Sequence, residues 1–272
     1  MFTESSDIRR VKEMIMDTIF TELKNNSKSI GAFALKGGYV LTKYTVKNKN
    51  LRCTSDIDMS VASLKVFHNI MAVIEPIAIR LKNEGVIFDY KIKEPYVDDT
   101  RNTSGGIKFK RKVKRKVSPN TKVFFFCGVD ISIHSMEYGL VTRDDGVVTF
   151  SDERSIADKI SVIFNRDLYT ICRRCRDLYD LYLYSKLNTV FIPESMLRCL
   201  KERNVDLTKL SNFELCLRVD ENRKQILSEL EKMLSNGVRI DYEFAKKIKL
   251  TPTKIVKEVE KVISVLRRTY VN

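Results

Sequence analysis

The sequence predicts an α+β fold, with a mixed sheet flanked by helices over residues 1–150 followed by a helical lobe over residues 151–272. Three observations predict it. Apolar residues switch repeatedly between helical and strand spacing through the first half, and after Asp145-Gly146 the pattern turns almost wholly helical. Gly and Pro, at 10 and 5 in 272 residues, are too few to break either part into loops. With 43% hydrophobic and 31% charged residues, the chain has the composition of a folded protein and not of a disordered one.

The elements follow in order. Ile8, Val11, Ile15, Ile19 and Leu23 recur at helical spacing and predict an amphipathic first helix over 7–23. The apolar run Ala32-Phe33-Ala34-Leu35 reads as a strand ending in a tight turn at Gly37-Gly38, with a second helix over 39–46. Residues 55–61 alternate, so a strand there places Asp56 and Asp58 on one face and Ile57, Met59 and Val61 on the other. A long helix is expected over 64–83. Residues 86–92, 107–116 and 122–133 read as strands, the last two forming a hairpin around Ser118-Pro119-Asn120, and 147–150 as a final short strand. Helices over 157–164, 169–186, 194–203, 222–235 and 253–268 make up the second lobe.

The sharpest chemical feature is Asp56-Ile57-Asp58 downstream of Gly37-Gly38. A glycine pair lets backbone N–H groups approach phosphate oxygens closely. Two carboxylates one pleat apart on the same strand face share divalent cations such as Mg²⁺ or Mn²⁺, which take oxygen ligands and bridge protein to phosphate. Alone, such a pair is an ordinary solvated strand face. Asp130, in Cys127-Gly128-Val129-Asp130, supplies a third carboxylate on a later strand and completes a candidate two-metal site for phosphoryl transfer. Lys159 and Arg166 are seven residues apart, an offset of only about 20° on a helix, so both cations project from one face where they can clamp a triphosphate. Lys36, beside the glycine pair, is a further candidate phosphate contact.

Other chemistries find no support. Cys172 and Cys175 form a CxxC without a second Cys or His pair to close a zinc site. All six cysteines read as reduced core residues, and His68 and His134 as structural residues outside any triad.

At this point the sequence resembles a known family, the AbiEii/AbiGii-type toxin nucleotidyltransferases, which include the MenT toxins, within the DNA polymerase β-like superfamily. Leu35-Lys36-Gly37-Gly38-Tyr39-Val40-Leu41 resembles that family's glycine motif, and Arg52-Cys53-Thr54-Ser55-Asp56-Ile57-Asp58-Met59 its acidic strand. Asp158-Lys159-Ile160 through Arg166 resembles its helical Lys and Arg motif, and Arg176-Asp177-Leu178-Tyr179-Asp180-Leu181 the RDxxDL motif after it. The resemblance spans about residues 30 to 185, with four motifs in the right order. Gly38 stands where many superfamily members have Ser, and the segment from Gly38 to Asp56 is somewhat long.

The resemblance implies a nucleotidyltransferase fold and transfer of a nucleoside monophosphate from an NTP to the 3′ end of tRNA, opposed by a cognate antitoxin. It implies catalytic roles for Asp56, Asp58, Lys159 and Asp180, with Asp56 and Asp58 at the metal and Lys36, Gly37, Gly38, Lys159 and Arg166 at the NTP, to which the reading of the residues adds Asp130 as a catalytic and metal-binding carboxylate. Asp180 matches the family's essential acid and would orient Lys159 or act in catalysis. Asp177, one turn earlier, is its competitor, and either acid can instead pair with a neighbouring arginine at helical spacing.

The charge balance points the same way. Lys and Arg number 49 against 35 Asp and Glu, a net charge of +14, and this favours polyanionic partners. Lys108, Lys110, Arg111, Lys112, Lys114, Arg115 and Lys116 occur with no acid among them, near Tyr90, Tyr96 and Phe109, and alternation predicts a strand with a basic face suited to a phosphate backbone. RNA is therefore the expected acceptor. Two alternatives stand beside it: a nucleotidyltransferase that modifies protein, and a nucleotide-binding regulatory module without turnover. No signal peptide or membrane-length apolar run is seen, so the cytoplasm is the expected compartment and no membrane the expected partner.

Overall fold

In the computed structural model of the chain, the described residues are 6–46, 54–95, 103–115, 118–133, 136, 138–164, 174–187, 192–202, 205–209, 219–235 and 242–271. The chain begins with α1 (Ser6–Asn25) and a short α2 (Ser27–Ile30). Strand β1 (Phe33–Lys36) leads straight into α3 (Gly37–Val40), which continues as a π-helical turn over Leu41–Val46. Then come β2 (Asp56–Val61), α4 (Leu64–Asn83), β3 (Asp89–Lys93), the long hairpin of β4 (Thr103–Arg115) and β5 (Ser118–Ile133), and the short strands β6 (Leu140–Thr142) and β7 (Val148–Phe150). The rest is helical: α5 (Asp152–Phe164), α6 (Cys175–Leu187), α7 (Pro193–Glu202), a 3₁₀ turn (Leu207–Lys209), α8 (Asp220–Ser235), α9 (Tyr242–Lys247) and α10 (Pro252–Val271). The expected α+β architecture is observed. Both β6 and α9 escape sequence reading, being too short to establish a period.

The seven strands form one sheet in the order β3-β4-β5-β2-β1-β7-β6. The β2–β5 and β1–β7 pairs are parallel and the other four antiparallel, so the sheet is mixed as expected. Its core face is covered by α1 and α4. Ile15, Ile19 and Leu23 of α1 and Ile70 and Ile74 of α4 are fully buried with Ile57, Met59 and Val61 of β2 and Val129 and Ile131 of β5. Helix α4 starts where Ser63 Oγ accepts the Val66 N–H at 3.4 Å, a side-chain cap.

One expected strand is shorter than its sequence suggests. Residues 86–88 are not extended, because the N–H groups of Val86 and Ile87 both donate to the Leu81 carbonyl and close the end of α4 (2.9 and 3.2 Å). Contact with β4 begins where the Phe88 N–H donates to the Lys110 carbonyl at 2.9 Å, and the strand register starts at Asp89.

The helical part has its own core, in which Ile156, Ile160, Leu178, Tyr179, Met196, Leu200, Ile226, Leu230, Ile255 and Val259 are buried together. Helix α5 packs on both α6 and α7. Leu41 and Val46, from the π-helical turn after β1, join this second core and not the sheet's. That turn therefore ties the glycine pair to the helical part, and no described helix is long and apolar enough to cross a membrane.

Ile57 lies between the two acids of β2 and is fully buried beneath them. Ile57→Ala should cost about 3 kcal/mol of unfolding free energy, measured by urea denaturation. An unchanged midpoint would contradict the packing described.

Candidate active site

The strand register assembles the site. Across the sheet, Lys36 of β1 pairs with Asp58 of β2, and Asp58 pairs with Asp130 of β5. Directly paired residues share a face, so the three line up in one row on the side away from α1 and α4. A second row, one pleat along, runs from Asp56 of β2 through Gly128 of β5 to Lys108 of β4. All three acids expected from sequence thus meet on one face of two adjacent parallel strands.

Local geometry shapes the first row. Gly37 has φ +71°, in the left-handed region, and a Cβ built there would lie 3.1 Å from both Cβ and Cγ of Asp58. Only glycine lets the chain turn over the Asp58 carboxylate into α3. Lys36 Nζ donates to Ser132 Oγ at 3.1 Å and lies 5.8 Å from the centre of the Phe150 ring, which holds its side chain along the sheet. Ser55 Oγ donates to Asp56 Oδ2 at 2.8 Å.

Helix α5 brings in Lys159. Its ammonium lies 2.8 Å from Asp177 Oδ1 and 2.9 Å from Asp180 Oδ2, both on α6. Asp180 is fully buried and Asp177 nearly so. The two acids that sequence reasoning set against each other act together, three residues apart on one helix face, as a double support for one ammonium. Asp177 Oδ2 also lies 3.5 Å from Arg174 Nη1, an ion pair at helical spacing.

Burial and neighbouring charge both show in the ionisation of Asp58. Burial pushes its carboxyl up to about 6, and the negative charges of Asp130 and Asp56 act in the same direction, against Lys36 and Lys159. The charge of Lys159 on α5 is thus one that acts on Asp58.

Lys108 departs from expectation. Sequence alternation placed it on a basic face turned to nucleic acid, whereas its ammonium lies 3.0 Å from Asp56 Oδ1 and 2.7 Å from Asp130 Oδ2. Burial works against its charge, yet the hydrogen bond and charge of Asp130, with Asp56, hold its pKa above the ordinary lysine value. The physical reason is Gly128, which leaves the path across β5 open. No single-strand period reveals such a cross-strand contact, though a glycine two residues before Asp130 was its one legible trace.

The other basic residues are less concentrated than the sequence suggests. Lys110 lies 3.6 Å from Asp89 Oδ2, and Lys112 sits over the Phe88 ring at 3.8 Å. Arg111 is half-buried, and β4 continues through Lys114 to Arg115. Arg166, Lys116, Tyr96, His134, Cys53, Cys172 and Cys216 lie outside the described residues. His68 is exposed on α4 with its ring edge-on to Phe67, and Cys175 is buried in the helical core.

Chemically, three carboxylates on one face are an oxygen donor set suited to a hard divalent cation. Among the described residues, no three acidic, imidazole or thiol groups are disposed around a common metal position. The position shared by Asp56 and Asp130 nevertheless holds a cation, the ammonium of Lys108, so the donor chemistry fits positive charge there.

The raised Asp58 pKa makes a stability prediction. Between the ordinary value of 3.8 and about 6, the folded protein holds a proton that the unfolded chain releases, so the ionisation of Asp58 costs stability as pH rises through that window. Asp58→Asn should match the wild type near pH 4 and exceed it at pH 7.5 by on the order of 2 to 3 kcal/mol, read from urea unfolding across pH. A gap that stays flat or narrows with rising pH would show that Asp58 ionises normally.

The profile of the AbiEii nucleotidyl transferase toxin family, assigned to type IV toxin–antitoxin systems, matches residues 23–253. No curated protein matches. Among solved structures, the chain is similar to MenT4, a nucleotidyltransferase toxin from Mycobacterium tuberculosis H37Rv, at 13% identity and a TM-score of 0.46, covering 96% of this chain and 94% of that one. With the profile spanning the glycine turn, all three strand acids and the Lys159 support, the chain belongs to the AbiEii family of nucleotidyltransferase toxins.

Proposed function

We propose that this protein transfers a nucleoside monophosphate from an NTP to an RNA acceptor, the 3′ end of tRNA, in a reaction that depends on Mg²⁺ or Mn²⁺. The observation that carries the reading is the convergence of Asp56, Asp58 and Asp130 on one sheet face, with Lys36 paired beside Asp58 and the charge of Lys159 on α5 acting on it. In this reading residues 1–150 form the catalytic domain and residues 151–272 a helical domain that contributes triphosphate and acceptor contacts.

Asp56, Asp58 and Asp130 would hold the metal. When bound, it supplies charge neutralisation at the α-phosphate and acidifies the attacking hydroxyl. The acceptor hydroxyl attacks the α-phosphorus, a new P–O bond forms, the α–β phosphoanhydride breaks, and pyrophosphate leaves. Asp130 takes the hydroxyl proton, for which its half-exposed side chain is accessible. Lys159, fixed by Asp177 and Asp180, and Arg166 bind the triphosphate, with Lys36 and the backbone at Gly37 and Gly38 completing the cradle.

The basic strand supports the RNA acceptor. Lys110 and Lys112 lie on the same β4 face as Lys108 and continue away from the acids along the strand, a path suited to following a phosphate backbone. The net charge of +14 acts in the same sense over longer range. As a member of a toxin family, the protein is expected to be neutralised by a cognate antitoxin.

The direct test incubates the protein with Mg²⁺, each α-phosphate-labelled NTP and total tRNA, beside an Asp56→Ala/Asp58→Ala control, and separates RNA from protein on gels. Label is expected on tRNA with the wild type alone. Label on protein would replace the RNA reading with a protein-modifying one, and NTP binding without transfer would leave a non-catalytic module. Acceptor binding should also weaken at least about tenfold between 50 and 200 mM salt, with the log–log slope reduced by about 2 in Lys110→Ala/Lys112→Ala. A slope that ignores both lysines removes the basic strand from the acceptor path.

A further inference from the structure

Lys108 of β4 turns toward the acids, and its contacts are built by three neighbouring strands. Asp56, Gly128 and Lys108 stand opposite one another in register, with Gly128 in the middle. A Cβ on Gly128 would come within 2.7 Å of the Lys108 Cδ, so the lysine stem crosses β5 through the space that a side chain would fill. On its other flank, Lys108 is paired in register with Lys91 of β3, and directly opposed like charges repel. Lys110, two residues along on the same face, goes the other way, to Asp89 of β3. Repulsion on one side, an open corridor on the other and two carboxylates at its end fix the direction of Lys108.

We propose that Lys108 is a built-in counter-cation of this site, holding the position between Asp56 and Asp130 that a divalent ion must take and leaving it when the ion enters. The proposal rests on the reading that these carboxylates bind metal. An ammonium hydrogen-bonded to both acids offsets their repulsion in the metal-free protein, and an entering ion has to compete with it. Metal affinity in the absence of nucleotide is thereby kept low. Once released, Lys108 stands at the start of the basic strand, on the same face as Lys110 and Lys112, where it can meet incoming phosphate.

The test measures Mn²⁺ binding to the whole protein without nucleotide, following the free ion by electron paramagnetic resonance. Lys108→Met and Lys108→Gln should bind Mn²⁺ about tenfold more tightly than the wild type, the worth of a charge-assisted hydrogen bond. Lys108→Arg, which keeps the charge, should stay near the wild-type affinity. Mn²⁺ should also raise the Tm of Lys108→Met by more than it raises that of the wild type. Unchanged or weaker affinity in Lys108→Met and Lys108→Gln, with circular dichroism matching the wild type, overturns the proposal alone when Asp56→Ala/Asp58→Ala abolishes wild-type binding. Absence of Mn²⁺ binding in every variant, with and without NTP, overturns both this proposal and the metal reading beneath it.

Discussion

Three carboxylates held on one face of two adjacent parallel strands repel one another, and much of the surrounding structure answers that constraint. Lys36 approaches along the row from β1, Lys108 across β5 from β4, and Lys159 from helix α5. Each cation is itself held in place: Lys36 by Ser132, Lys108 by the gap at Gly128, and Lys159 by two acids of α6. Burial, with the charges of Asp130 and Asp56, still holds the Asp58 carboxyl above its ordinary value. A buried carboxylate with two others beside it favours added positive charge.

The two hydrophobic cores are joined where the site needs them joined. The sheet, α1 and α4 position the acids, while α5 and α6 position Lys159. Between them runs the segment after Gly37, which passes over Asp58 and then sends Leu41 and Val46 into the helical core. The π-helical turn at 41–46 directs those side chains onto α6. The same short stretch thus covers the acids and anchors the lobe that carries Lys159.

Local periodicity made part of this legible. Asp56 and Asp58 are separated by one pleat of one strand, so their shared face follows from the sequence alone. The helices over 64–83 and 220–235 were readable because their apolar spacing runs through several turns. Asp130 was identifiable as an acid in a strand, but its position beside Asp58 depends on pairing between strands more than 70 residues apart, where a slip of one residue would have turned it to the other face. Lys108 needed two such registers and a missing side chain, so sequence reading found its face but not its contacts with Asp56 and Asp130. Asp177 and Asp180 looked like rivals because a motif singles out one residue, whereas a lysine ammonium has three protons to donate.

Chain order within the sheet has a consequence for how the protein comes into being. Strand β2 waits for β5 as its outer neighbour, β1 waits for β7, and Lys159 waits for Asp177 and Asp180 on α6. These are long-range pairings, which close late because loop entropy must be overcome before contacts reward it. A chain emerging from the ribosome cannot complete the constellation until it has been made past Asp180, so the time taken by synthesis is itself an interval in which a newly started molecule of this toxin family remains unassembled.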